Sequence, residues 1–196
     1  MLEKILSLDA KLLIFLNGLG SEKYDGFWFL ITKQVYWTPF FILLLYLIFK
    51  KIGIKQGLIV LVFVAILITV NDQTTNLIRL IFKRLRPCND PEINKTIRLI
   101  LLNPLKMEYY RPLQYSFVSG HASNSMATML FIYLLMRKYY KYIGLVFIFP
   151  LVFAYSRIYC GVHYPTDILG GYIYGGTLGF VFYKLYGFLQ AMKIIK

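Results

Sequence analysis

The sequence predicts an all-α integral membrane protein of five to six transmembrane helices, with its reactive side chains gathered at the extracytoplasmic helix ends. Three observations predict it. Mean hydropathy is +0.59 and only 16% of the 196 residues are charged, too apolar for a soluble domain of this size. Apolar runs recur along the chain at the length that a bilayer core demands, about 20 residues per helix. Finally, several turns between those runs carry lysine and arginine and no acid.

Five runs read as spans: 27–49, 57–82, 119–136, 142–157 and 167–190. The fourth is short, but Tyr142 and Tyr155 suit its interfacial ends. Residues 1–20 repeat apolar side chains at helical spacing, interrupted by Glu3, Lys4, Asp9 and Lys11. They read as an interfacial amphipathic helix or a short, partly inserted sixth helix, and as a poor signal peptide. With no linker, repeat or low-complexity tract, residues 1–196 form a single domain.

Lys50, Lys51 and Lys55 share one turn, Arg137, Lys138 and Lys141 another, and Lys193 and Lys196 close the chain. Alternating spans put all three groups on one face, which the positive-inside rule makes cytoplasmic, so 83–118 and 158–166 face outward. Yet 83–118 is itself basic, with Lys83, Arg84, Arg86, Lys95, Arg98, Lys106 and Arg111. Those cations are either without meaning or kept for an anionic ligand. A net charge of +13 suits a protein working beside anionic head groups. Nucleic acid is not an expected partner, because no basic patch belongs to a soluble module.

Three polar clusters fall at the outward ends of spans. Asp72, Arg79 and Arg86 are spaced by seven, two helical turns, so one helix stripe carries them into the boundary. An ionisable group in a span suggests function, although arginines also snorkel to head groups, and Asp72 could bond Gln73 or Asn76. In FVSGHASNS, Ser119 is a good helix cap, Gly120 lets the backbone approach a ligand, and His121 enters the first turn. A helix start offers free N–H groups to an anion, although plain capping explains the same residues. In SRIYCGVHYPTD, His163 precedes a helix start at Pro165 and Thr166, with Asp167 four residues on. A carboxylate there can keep one ring nitrogen protonated and leave the other as a nucleophile. Arg157 adds a planar fork for two oxygens of a tetrahedral oxyanion. Together the clusters could assemble a phosphate site with an attacking and a protonating group.

The pattern R-x6-R-P (Arg79 to Pro87), S-G-H (Ser119 to His121) and S-R-x5-H-x3-D (Ser156 to Asp167) resembles the three-part signature of the type 2 phosphatidic acid phosphatases. These are membrane relatives of vanadium haloperoxidases and bacterial acid phosphatases. The resemblance covers a catalytic core of 57–190. It departs where Arg79 stands for the usual lysine and Val118 for the proline before Ser119.

The resemblance implies that His163 attacks phosphorus, Asp167 orients it, and His121 protonates the leaving oxygen. It further implies that Arg79, Arg86, Ser119, Gly120 and Arg157 hold the phosphoryl oxygens, without cofactor or metal. The implied substrate is a lipid phosphate met among membrane lipids at the outer face of a bacterial plasma membrane. Undecaprenyl diphosphate comes first, and phosphatidylglycerol phosphate and lipid A are alternatives that the motifs do not separate. A phosphotransferase using an alcohol acceptor shares the same residues. A transporter would place charges near the midplane in repeated halves, which this chain does not. Cys88 and Cys160 both fall near the site and could pair on an oxidising side, with two separate thiols the expected state. Gly171, Gly175 and Gly179 form a stripe for close helix packing.

Overall fold

A computed structural model describes residues 2–195 as six α-helices with short 3₁₀ turns and one small hairpin. The helices are α1 (Leu2–Gly18), α2 (Glu22–Ile31), α3 (Thr38–Phe82), α4 (Gly120–Met136), α5 (Ile148–Tyr159) and α6 (Pro165–Ala191). Between α3 and α4 lies a two-stranded antiparallel hairpin, β1 (Leu101–Asn103) with β2 (Glu108–Tyr109).

The segment Gln34–Phe82 is long and apolar enough to cross a membrane. It does not run straight. Gly53 adopts φ 78°, a left-handed conformation open to glycine at little cost, and the helix folds back there. The Phe49 ring then packs onto Gly57, and residues on either side of the bend face each other, as Ile48 and Val60 do in the core. The basic turn expected at Lys50, Lys51 and Lys55 is therefore this bend. Tyr140 donates to the Leu47 carbonyl at 3.0 Å, and Tyr186 donates to Gln56 at 2.9 Å. Those contacts gather the bend, the 137–142 turn and the far end of α6 at one end of the bundle, as the charge pattern required.

The expected span 27–49 is corrected. Its first residues belong to α2, and a 3₁₀ turn, Gln34–Trp37, separates them from α3. Pro39 explains the new start, because a missing N–H is tolerated only in the first helical turn. Arg86 also leaves the helical stripe proposed for it: α3 ends at Phe82, and Lys83 closes it in the left-handed region at φ 49°. The run 142–157 begins as a 3₁₀ turn, Ile143–Phe147, before α5.

The first helix, α1, docks on α5 and α6 along Asp9, Leu13 and Asn17, all buried and four residues apart. Asn17 donates to the carbonyls of Arg98, Ile158 and Tyr159 and accepts the Arg98 N–H at 2.7 Å. Its opposite side exposes Leu8, Leu12 and Phe15.

The glycine stripe behaves as read. A Cβ on Gly171 would stand 2.7 Å from the Ser119 carbonyl oxygen, and on Gly175 or Gly179 it would collide with the Ser123 or Ala127 backbone. Backbone-to-backbone contact this close leaves no room for even a methyl group. Gly175→Ala should therefore lower stability by about 1–3 kcal/mol, read as thermal unfolding in detergent. Gly187→Ala is the control, since nothing lies near its would-be Cβ. Equal unfolding temperatures for the two variants would contradict the contact.

Candidate active site

At the end of the bundle opposite the Gly53 bend, a cavity of about 710 Å³ is faced by Arg79, Arg86, Gly120, His121, Arg157 and His163. Six of the eight expected site residues therefore share one concavity. The other two, Ser119 and Asp167, lie buried behind it. Ser119 caps α4 by accepting the Ala122 N–H at 3.4 Å, and its own N–H donates to the Asp167 carbonyl at 3.0 Å. That bond ties the start of α4 to the first turn of α6.

His163 sits in the turn between α5 and α6, 1% exposed. Its Nδ1 faces Asp167 Oδ2 at 3.3 Å, and its Nε2 lies 2.7 Å from Arg86 Nη1. A carboxylate on one side and a guanidinium donor on the other assign the tautomer: Nδ1 carries the proton and Nε2 keeps its lone pair. Burial, reinforced by the positive charges of Arg86 and Arg157, holds this imidazole well below its ordinary titration range. The ring is neutral and its free nitrogen points at the cationic cluster.

Arg79 and Arg86 are fixed by backbone carbonyls, and Arg157 by side-chain hydroxyls. Arg86 Nε donates to the Leu113 carbonyl at 2.5 Å and Nη1 to that of Val162 at 3.0 Å. Burial and the neighbouring Arg157 and Arg79 charges push its guanidinium down to about 10. Arg79 Nε donates to the Val118 carbonyl at 3.1 Å and Nη1 to Asn76 at 2.7 Å. Its Nη2 rests against Gly120, where a Cβ would come within 2.6 Å. Arg157, 2% exposed, donates through Nη1 to Thr32 and, at 3.2 Å, to Tyr110. Its buried Nε has no partner among the described residues, a donor that a bound oxyanion would satisfy. His121 stacks on Phe153 with ring centroids 4.9 Å apart.

Thr32 and Tyr110 were absent from the sequence reading, since neither lies in a motif and both arrive from distant connections. Arg84 and Asp9 were also missed as members of the site. Arg84 pairs with Asp167 and with Asp9, so part of the basic excess in 83–118 has internal partners. Arg98 likewise pairs with Asp25. An acid on the apolar stripe of an N-terminal helix was the available signal for Asp9. Asp72 accepts from Asn124 at 2.6 Å rather than from its helix neighbours Gln73 or Asn76. Cys88 and Cys160 are separate buried thiols. Among the described residues, no three His, Cys, Asp or Glu side chains group as a metal site requires.

The model of the PAP2 superfamily matches residues 57–191. A lipid A 4'-phosphatase of Bacteroides thetaiotaomicron is 35% identical over 93% of this chain and 79% of its own length. A second, from Porphyromonas gingivalis, is 31% identical over 94% and 75%. An undecaprenyl-diphosphatase of Sulfolobus acidocaldarius is 27% identical over 91% and 79%. Among solved structures, a transmembrane PAP2-type phosphatidylglycerolphosphate phosphatase from Bacillus subtilis superposes with a TM-score of 0.66 at 20% identity, covering 98% of this chain and 90% of that one. Aquifex aeolicus LpxE superposes at 0.60 and 23% identity, covering 89% and 93%. At these identities the superpositions speak for the fold.

Two outcomes follow from the geometry. Gly120→Ala should displace the Arg79 guanidinium and lower kcat/KM by roughly tenfold or more while unfolding temperature barely changes; an unaffected rate would show that Arg79 need not lie there. Because His163 is already neutral below the ordinary histidine range, kcat/KM should hold as pH falls through about 6.5, and a loss centred there would contradict its depressed titration.

Proposed function

The chain belongs to the PAP2 superfamily, and from that premise we propose that it is a membrane lipid phosphatase working through a phosphohistidine at His163. The observation that carries this is the single cavity faced by two imidazoles and three guanidiniums, which continues as an apolar cleft between the arms of α3, lined by Phe41, Leu44, Ile48, Val60 and Val64. A phosphate seated among the arginines would leave its hydrocarbon in that cleft. Exposed Leu58, Val62 and Ile66 on the return arm suit contact with lipid.

In this mechanism His163 Nε2 attacks phosphorus and the bond to the lipid oxygen breaks, with His121 giving that oxygen a proton. The positive charge that the ring acquires is met by Asp167 at Nδ1. Water then attacks the phosphoimidazole, His121 takes its proton, the P–N bond breaks, and phosphate leaves. Arg79, Arg86 and Arg157 stabilise charge on the equatorial oxygens, where phosphoryl transfer gains most from its enzyme. Gly120 brings the α4 N-terminus to the same group. Ser119 contributes by holding the start of α4 in place.

The substrate we propose is the 4'-phosphate of a lipid A-type glycolipid. Two relatives named for that activity, at 35% and 31% identity, support this order over the undecaprenyl diphosphate that the family resemblance put first. Undecaprenyl diphosphate is the second reading, supported by the 27% identical relative. The basic turns at the opposite end support a site on the outer side of the plasma membrane.

His163→Ala should abolish phosphate release, a loss of several orders of magnitude, while the protein stays folded in detergent; retained turnover would remove His163 as nucleophile. A panel of purified lipid phosphates should give its highest kcat/KM with lipid A. Preference for undecaprenyl diphosphate would reverse the two readings, and labelled phosphate appearing on an alcohol acceptor would make the enzyme a transferase.

A further inference from the structure

We propose that Arg84 is a positioning residue for the His163 nucleophile, and that Asp9 on α1 holds Arg84 in the orientation this requires. The inference rests on the reading of His163 given above.

The Asp167 carboxylate divides its two oxygens between different tasks. Oδ2 faces His163 Nδ1 at 3.3 Å and accepts the Tyr164 N–H at 2.9 Å. Oδ1 accepts from Arg84 Nη1 at 2.9 Å. Arg84 Nη1 also donates to Thr166 Oγ1 at 2.7 Å, while Nη2 turns away to Asp9 Oδ2 at 2.6 Å. The guanidinium carbon lies over the Tyr164 ring, 3.8 Å from its centroid. Asp9 is fixed in turn by Thr166, whose N–H and hydroxyl donate to its two oxygens at 2.9 and 2.5 Å. The side chains of Asp9 and Asp167 are 1% and 0% exposed, so neither carboxylate has water as an alternative partner.

One guanidinium is thus shared between two buried carboxylates, one nitrogen each. Left alone with Asp167, Arg84 would favour the two-pronged pairing that occupies both carboxylate oxygens. Asp9 draws Nη2 the other way, which leaves Oδ2 free to hold the imidazole. Arg84 also gives buried Asp167 a counter-charge, so the carboxylate stays anionic when His163 becomes positive. The other charges around the ring are those of Arg79, Arg86 and Arg157, all cationic, with His121 opposite. Neither Arg84 nor Asp9 faces the substrate cavity. Their effect must pass through Asp167, and the N-terminal helix becomes a working part of the site.

The test measures kcat, KM and vanadate inhibition of purified full-length protein in detergent, using the lipid phosphate that wild type hydrolyses fastest. Arg84→Met and Asp9→Asn should each lower kcat by roughly 10- to 100-fold, the usual cost of losing a partner that orients a reactive group. KM and the vanadate inhibition constant should stay within about threefold, since the arginine cradle is intact. Arg84→Lys should recover part of the loss. Asp9 also bonds Thr166, but in this proposal its effect on kcat runs through Arg84, so the double variant should be no slower than Arg84→Met alone. Multiplying losses, or vanadate affinity falling in step with kcat, would overturn the proposal while an inactive His163→Ala leaves the nucleophile standing. Should Arg84→Met not fold, Asp9→Asn and Arg84→Lys carry the same split between kcat and vanadate affinity.

Discussion

The structure depends on how closely α4 and α6 approach. Three glycines on α6 let it lie directly on the backbone of α4, and the Ser119 N–H reaches the Asp167 carbonyl across the seam. Side chains of ordinary size would hold helix axes about 8–10 Å apart, separating the helix starts that carry His121 and Asp167. The glycine stripe, which does not line the cavity, sets the distance between the two helix starts from which the site is built.

Charge is the second constraint. Arg79, Arg86 and Arg157 converge on one cavity, and like charges at such range repel. Backbone carbonyls of Val118, Leu113 and Val162 hold two of these groups by accepting their N–H bonds without neutralising them. Burial, reinforced by the net positive field, keeps the His163 ring neutral, and that field suits a tetrahedral oxyanion. Two acids lie one layer back: Asp167 touches the imidazole from behind, and Asp9 touches Arg84 further behind still, while Asp72 lines the cavity on the Arg79 side. Asp167 can polarise the imidazole from there without facing the cavity.

The bend at Gly53 joins the two regimes. It turns one apolar segment into two facing arms, so the polar pocket opens into a hydrocarbon-lined cleft. The cationic pocket and the apolar cleft then belong to one continuous space, which matches the ionic head and greasy body of the proposed substrate.

The sequence by itself determined the helical class, the three basic turns at one end and the eight motif residues, because hydropathy, charge asymmetry and fixed spacings are local properties. It also marked the glycine stripe, since a repeat of four is legible without a partner helix. The break between α2 and α3 was hidden inside a continuous apolar run, where composition does not register a change of direction. Thr32, Tyr110, Arg84 and Asp9 reach the site from segments with no motif, and Arg84 and Asp9 lie 75 residues apart in the chain. Only the tertiary structure decided which charges are paired and which are left to bind. Pairing between distant residues is set by packing, and a list of residues carries no distances.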